Sequence, residues 1–441
     1  MKTAAWFAVA VATLGIGGCP FDQKYTVGGI LTGLSGSGLV IEDNSGNSLG
    51  VPANGSFAFS SSVKKGDPYA VTVKTQPSNP SQTCTVHNGS GTIAKANVTS
   101  VLVSCTQAGR YAFVANQLSN SISAFSINPT TGFLTPVSGS PFAASGTTPV
   151  SLAIDPNGRY LYVVNNASDT LSVFSINAST GALSATGLPA ATGSGPVAVF
   201  IDPSGSYAYV ANLAANTVSA FAINSATGLL SQISGSPFSV GQAPNALQSD
   251  SGGNELYVVQ SAASSVAVFA IDPASGVLTP VTGSPFATSA QAASIAIDPS
   301  DTFAFVASPT ANAIAAYSIN SAGALTSVSG SPFSTGSSPS SITIVTSGAF
   351  VIAANVTQVN EIAAYKITPG SGALSLSGSA VAGGTLPVSV VVDPTGPFVY
   401  VANQGSNNIS VFSLDSPSGT LTAVNGSPFA AGNQPHSITI D

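Results

Sequence analysis

The chain has 441 residues with 9 Lys+Arg, 16 Asp+Glu and a net charge of −7, so only 6% of it is charged, against roughly a quarter in an average soluble protein. Nine cations cannot supply a phosphate-neutralising surface, which excludes nucleic-acid binding, and 44% hydrophobic content excludes a disordered chain. The 45 Gly and 29 Pro, with abundant Ser, Thr, Val and Asn, favour strands and turns over helices and leave a surface wetted by hydroxyls and amides.

Lys2 and the apolar run from Ala4 to Ile16 open the chain. The run is too short for a membrane span, which needs about 20 residues, and reads as an export signal over residues 1–18. Its end, Ile16-Gly17-Gly18-Cys19, resembles the bacterial lipobox. That resemblance implies lipidation of Cys19, a tether over residues 19–23 and a place in the cell envelope. Because Pro20 and not Asp follows the Cys, it implies the outer membrane. The alternative is an ordinary secretory signal with Cys19 incidental.

Residues 24–106 show short alternating runs broken by Gly, Asn, Ser and Pro, the pattern of a small β-sandwich. It looks like an immunoglobulin-like spacer module. Cys84 shares parity with Val86, and Cys105 with Val101 and Val103, so both thiols point to the core. In an oxidising compartment they are expected to pair across the sandwich; the alternative is two reduced, buried thiols.

From residue 108 to 441 the chain repeats. Tyr111-Ala-Phe-Val-Ala-Asn116 recurs from Tyr160, Tyr207, Glu255, Phe303, Phe350 and Phe398, at spacings of 49, 47, 48, 48, 47 and 48 residues. Each of the seven copies holds four strand signals, the blade pattern of a β-propeller. In Leu171-Ser-Val-Phe-Ser-Ile176 both strand faces are apolar, as a blade packed between two neighbours requires. The first copy lacks a first strand, whereas residues 435–441 match the first-strand pattern. They are expected to complete the first blade and close the ring. The fold class is therefore all-β, a seven-bladed propeller behind a small sandwich.

The Tyr-Val-Ala-Asn strand, the Ile-Asp-Pro-x-Gly turn and Ser-Gly-Ser-Pro-Phe at 138–142, 234–238 and 329–333 resemble the seven-bladed lactonase superfamily. That group includes propeller-type 6-phosphogluconolactonases and Tyr-Val-Thr-Asn repeat surface proteins. The resemblance implies the fold and, as one function, lactone hydrolysis without a cofactor.

Chain geometry sorts polar residues onto two rims. Asp155, Asp202, Asp250, Asp298, Asp393 and Asp441 end the first strands on one rim, with Val345 in the seventh slot. Single Asp residues on separate blades cannot converge as calcium demands, so each is expected to cap its own turn, and no metal site is implied. Arg159, beside one of these turns, is expected to be solvated. The other rim carries Asn116, Asn165, Asn212, Asn355 and Asn403, with loop residues Asn120, Asp169, Asn216, Asn312, Asn360 and Asn407. These amides read either as hairpin caps or as a ligand-binding lining, for which Asn116, Asn165, Asn245 and Asn403 are the candidates. Near the channel entrance the first strands present Val150, Val197, Asn245, Ala293, Ser340, Val388 and His436.

His436 is the only propeller His, and Glu361 is the only Glu on its rim. His436 is the candidate general base and Glu361 a second catalytic candidate, with Asn116 or Asn403 polarising a lactone carbonyl, although a lone base lacks the partners such chemistry gathers. With three propeller cations, Arg110, Arg159 and Lys366, a phosphosugar pocket is not expected. Two functions from different classes are carried forward: a monomeric, lipid-anchored propeller that binds a carbohydrate or protein at its amide-rich mouth, and a lactonase using His436.

Overall fold

A computed structural model describes residues 23–441 apart from 35, 45, 78–81, 108, 109 and 357–359. The export signal, Cys19 and residues 20–22 of the tether lie outside the described residues. The chain divides into two units between residues 108 and 109, and the described residues contain strands and no helix.

In the first unit two four-stranded sheets enclose one core that includes Val27, Leu31, Ile41, Phe59, Val101 and Val103. Cys84 and Cys105 form a disulfide, but not across the two sheets as their parity suggested. They face each other on neighbouring antiparallel strands of one sheet, Gln82–His87 and Val98–Gln107. Strand parity tells which face a side chain takes and not which strand lies beside it.

The second unit is a ring of seven antiparallel sheets. The second strands are buried, apart from the first residue in two of them, Tyr160 and Glu255: Ala112, Phe113, Val114 and Ala115 are 0% exposed, as are Leu161, Tyr162, Val163 and Val164. Successive residues point to opposite faces, so each second strand contributes to two different interblade cores.

The Ser-Pro-Phe segments also have a structural role. They fold back so that the Phe-Ala or Phe-Ser pair joins the start of the third strand, as Ala143 pairs with Ser121. Each preceding Ser then accepts the backbone N–H of the third strand: Ala124 N to Ser140 Oγ at 2.9 Å, with equivalent bonds to Ser236, Ser284, Ser331 and Ser427. A hydroxyl thus takes the place of the carbonyl that an uninterrupted outer strand supplies.

Pro435–Ile440 pairs antiparallel with Tyr111–Asn116, matching Ala112 to Ile440 and Val114 to Ile438, so the end of the chain completes the first blade. Two further contacts fasten this joint. Asp441 accepts the Tyr111 N–H at 2.6 Å. Arg110 grips Asp393 of the seventh blade through two hydrogen bonds of 2.8 and 2.5 Å, with side chains only 9% and 0% exposed. Arg110 is therefore a buried latch, held by a carboxylate 283 residues away in sequence.

Deleting residues 435–441 strips Ile438 and Ile440, at about 1.5–3 kcal/mol per buried aliphatic side chain, and opens a backbone edge. Against a typical stability of about 5–15 kcal/mol, the truncated chain is expected to aggregate or unfold. Arg110→Ala, which leaves Asp393 buried and unpaired, is expected to cost about 3–5 kcal/mol. Thermal unfolding followed by circular dichroism checks both, and a truncated chain melting with the full-length one rules this closure out.

Candidate functional site

The inner strands begin with a Pro in six blades, and in those the register slips between that Pro and the third residue. The second residue is therefore a bulge, released from the ladder and re-aimed. Val150, Asn245, Ser340 and His436 all occupy it. The polar members turn sideways to the next blade: His436 Nδ1 lies 2.8 Å from Val150 O, Asn245 Nδ2 donates to Ala292 O at 3.1 Å, and Ser340 Oγ donates to Pro387 O at 2.8 Å. Asn245 keeps a buried Oδ1 with no partner among the described residues.

The third inner-strand residue completes the contact. Ser437, Ser151, Ser294, Ser341 and Ser389 each accept an inner-strand N–H of the following blade at 3.1–3.3 Å. Ala198 and Ala246 hold the equivalent positions in the third and fourth blades, without that bond.

A carbonyl can only accept, so Nδ1 of His436 carries the proton and Nε2 keeps its lone pair. Burial pushes the His436 pKa below its ordinary value, and the bond to Val150 O opposes this. His436 is thus favoured in its neutral form, with Nε2 unprotonated.

The other candidates fall elsewhere. Asn116, Asn165 and Asn403 are 0% exposed and face into their own blades, where Nδ2 of each bonds a third-strand hydroxyl: Ser123, Ser172 and Ser410, at 2.8–2.9 Å. Asn116 and Asn403 also accept loop N–H groups from Gly432 and Gly384. They are caps, closed off from a ligand at the mouth. The loop residues Asn120, Asp169, Asn216, Asn360 and Asn407 take positive φ and accept an N–H of the next loop, as Asn120 does from Thr148 N at 2.7 Å. Glu361 begins a third strand of the sixth blade and accepts from Ser337 Oγ at 3.1 Å. His436 lies on the inner strand of the first blade, so the seventh blade stands between them and no base–acid pair forms.

Residues missed in the sequence are those that follow the buried Asn. Gln117, Asn166 and Gln404 are half-buried where the second strands end. Gln404 Nε2 bonds Gln117 Oε1 at 3.1 Å, joining the seventh and first blades, and Asn166 Nδ2 bonds Pro196 O at 3.0 Å. Parity could have found them, since the residue after an inward Asn points the other way. Together with His436 and Asn245 they form an uncharged amide crescent.

On the opposite rim Asp155, Asp202, Asp250, Asp298 and Asp393 cap their own turns, as Asp155 Oδ1 does with the N–H groups of Arg159 and Tyr160 at 2.6 Å, whereas Asp441, at the last inner strand, departs from the expectation and accepts the Tyr111 N–H of the neighbouring strand. Arg159 is 49% exposed on this rim. Among the described residues no group of three or more His, Cys, Asp or Glu is placed to hold a metal.

The model of the family "Lactonase, 7-bladed beta-propeller" matches residues 71–197, 185–287, 279–358 and 325–438. The chain belongs to this family. No curated protein sequence matches it. Among solved structures it is similar to a putative 6-phosphogluconolactonase from Bacteroides fragilis NCTC 9343, at 20% identity over 76% of this chain and 98% of that one, with a TM-score of 0.67. A putative 6-phosphogluconolactonase from Bacteroides uniformis ATCC 8492 follows at 20% identity over 76% and 100%, TM-score 0.65. The periplasmic gluconolactonase PpgL of Pseudomonas aeruginosa aligns at 18% identity over 75% and 99%, TM-score 0.66. At such identities the likeness is one of fold, and this lactonase-family propeller must have its chemistry argued from its own residues.

The depressed pKa of His436 sets a pH signature. Its folded value lies below its unfolded value of about 6.5, so the unfolded chain binds the extra proton and stability falls as pH drops through that value. Asp441, pushed up to about 6 mainly by burial, acts in the opposite sense: its folded form takes the proton first, so acid favours folding between its unfolded value and about 6. Replacing His436 by Gln should remove the first effect alone. Melting temperatures measured from about pH 7.5 to about pH 5 should fall less in H436Q than in the unaltered protein, and parallel curves would show that His436 is freely titrating.

Proposed function

We propose that this lactonase-family propeller is exported, tethered to the outer membrane of a bacterial envelope through Cys19, and binds a neutral carbohydrate-type ligand at the crescent of Gln404, Gln117, His436, Asn166 and Asn245. The observation that carries this reading is the absence of any cation from the crescent. Arg110 is locked in its ion pair, Arg159 belongs to the opposite rim, and Lys366 is exposed on a third strand away from the inner ring. A phosphorylated sugar needs charged donors, whereas hydroxyls are met by amides that both donate and accept. The protein acts as a monomer, with the sandwich as spacer, and a protein partner presenting neutral polar groups could occupy the same surface.

A second reading is favoured by the unprotonated Nε2 of His436. A neutral sugar lactone bound at the crescent can be attacked by water as Nε2 takes the water proton. The lactone C–O bond then breaks, and the proton passes to the departing ring oxygen, leaving the hydroxy acid. Asn116 and Asn403, being buried caps, take no part, and the rim amides polarise the carbonyl in their place. The periplasmic gluconolactonase of Pseudomonas aeruginosa supports both the compartment and a non-phosphorylated lactone.

Turnover of glucono-1,5-lactone and of its 6-phosphate by the purified chain separates these readings. Hydrolysis of the neutral lactone, with kcat reduced about 10²–10⁴-fold in His436→Gln, supports the enzyme. Sugar binding without turnover supports the binding protein, and a marked preference for the phosphate overturns both. For the anchor, Cys19→Ala should move the protein from the membrane to the soluble fraction, because one Cys carries the lipid. Retention of the variant in the membrane would show that something else holds it.

A further inference from the structure

The joint between the seventh and first blades carries a feature that sets it apart from the repeat, towards the rim opposite the crescent. A cavity of about 580 Å³ opens there between the hairpin that follows the third strand of the first blade and the outer segment of the seventh. Its walls include Asn128, Thr130, Phe133, Thr135, Ser413 and Asn425, and no ionisable side chain lines it. The volume lies in the range of small-molecule sites, about 300–1,000 Å³.

Two of these residues depart from the repeat. The first is Phe133, which follows the hairpin Gly132. The same place holds Ala182, Leu229, Val277, Ala324, Ala373 and Thr420 in the other blades. The Phe133 ring reaches across the joint and meets Phe429 of the seventh blade edge to face, with centroids 4.7 Å apart. It also lies over Gly426, where a Cβ would come within 2.9 Å of it. The matching Gly139, Gly235, Gly283 and Gly330 meet only the Phe of their own segment. Phe133 nevertheless stays 42% exposed, while Phe398 in the same cavity is 4% exposed. A ring that served only to clasp the joint would be covered as Phe398 is; this one keeps open surface.

The second departure is Asn425. The other Ser-Pro-Phe segments have Ser138, Ser234, Thr282 and Ser329 in its place. Its amide is exposed and has no hydrogen-bond partner among the described residues, and the same holds for the Thr130 and Thr135 hydroxyls. Phe133 and Asn425 come from opposite ends of the propeller sequence and share this cavity through ring closure alone. An apolar platform and a free amide are thus brought together where neither has a structural partner to explain its change.

We propose that this cavity binds a neutral pyranose, with the sugar ring stacked on Phe133 and its hydroxyls bonded by Asn425, Thr130 and Thr135. The face of an aromatic ring is electronegative and draws the C–H groups on the flat side of a sugar. Amides and hydroxyls both donate and accept, as sugar hydroxyls require. A charged ligand meets no counter-ion in this lining. A wholly apolar one would cover the Asn425 amide without replacing its hydrogen bonds to water. This site is independent of the crescent and of any lactone chemistry there.

Calorimetric titration of the full chain with cellotriose, whose rings present C–H faces, tests the proposal below the melting transition of each variant. Phe133→Leu, which copies Leu229 of the third blade, should weaken binding about three- to tenfold. Asn425→Ser, which copies Ser138, should weaken it about fivefold through the loss of one hydrogen bond. Both substitutions reproduce residues that other blades already carry, so the fold tolerates them, and Phe133→Trp, with its larger face, should tighten binding. Absence of cellotriose binding, or unaltered affinity in all three variants, would overturn the assignment. Loss of binding in Gln117→Ala and not in Phe133→Leu would place the sugar at the crescent and overturn it too. Tighter binding of benzyl alcohol than of cellotriose would show a flat apolar occupant in place of a sugar.

Discussion

Neither face of a blade can meet water. Once the second strands carry apolar residues on both sides, every blade needs a neighbour on each side, and the requirement is satisfied only when the seventh blade meets the first. The pairing of residues 435–440 with 111–116, the Arg110–Asp393 grip and the Asp441 cap all act at that one joint. The joint is also where the main buried ion pair of the described propeller is placed, in keeping with the large penalty for breaking such a pair once it is formed.

The same constraint accounts for the low charge of the chain. A surface that becomes an interblade seam cannot hold ionised side chains without a desolvation cost of several kcal/mol per ion. It can hold hydroxyls bonded to backbone, each worth about 0.5–1.5 kcal/mol. Ser140 and its equivalents fold the outer segment onto the third strand, while Ser437, Ser151, Ser294, Ser341 and Ser389 join neighbouring inner strands. Charge is left to the rims, where a turn such as Asp155 to Arg159 can satisfy it locally.

Blade number, strand phase and closure were legible in the sequence because they rest on two periods, the two-residue alternation and the repeat of 47 to 49 residues. The Asp ring was legible too, since an Asp before Pro bonds its own turn through local geometry. What depends on a neighbour was not. The Asn ring could be placed on its rim, but the choice between cap and ligand turned on whether Ser123 or Ser172 stood within reach on the next strand. The disulfide pairing was read correctly and its direction was not, because alternation carries no information about strand order. Arg110 could be counted in the sequence only as one of three propeller cations, and it is the fold that sets it beside a carboxylate from another blade. Glu361 and His436 could likewise be read onto one rim, but their separation by blade order and by strand could not.

That leaves the question of where this scaffold can carry function without loss of the ring. The third inner-strand position joins blades and is Ser or Ala throughout, as Ser151, Ala198, Ala246, Ser294, Ser341, Ser389 and Ser437 show. The second position, one residue earlier, reads Val, Val, Asn, Ala, Ser, Val and His. At the bulge two inner-strand residues oppose one on the second strand, so the side chain there can change while the pairing on either side holds. The restriction at one position and the freedom at the next follow from the same bulge. His436 is therefore held by a rigid frame, through Nδ1 against Val150 O, at a position where other blades carry Val, Asn, Ala or Ser, the arrangement a binding or catalytic group requires.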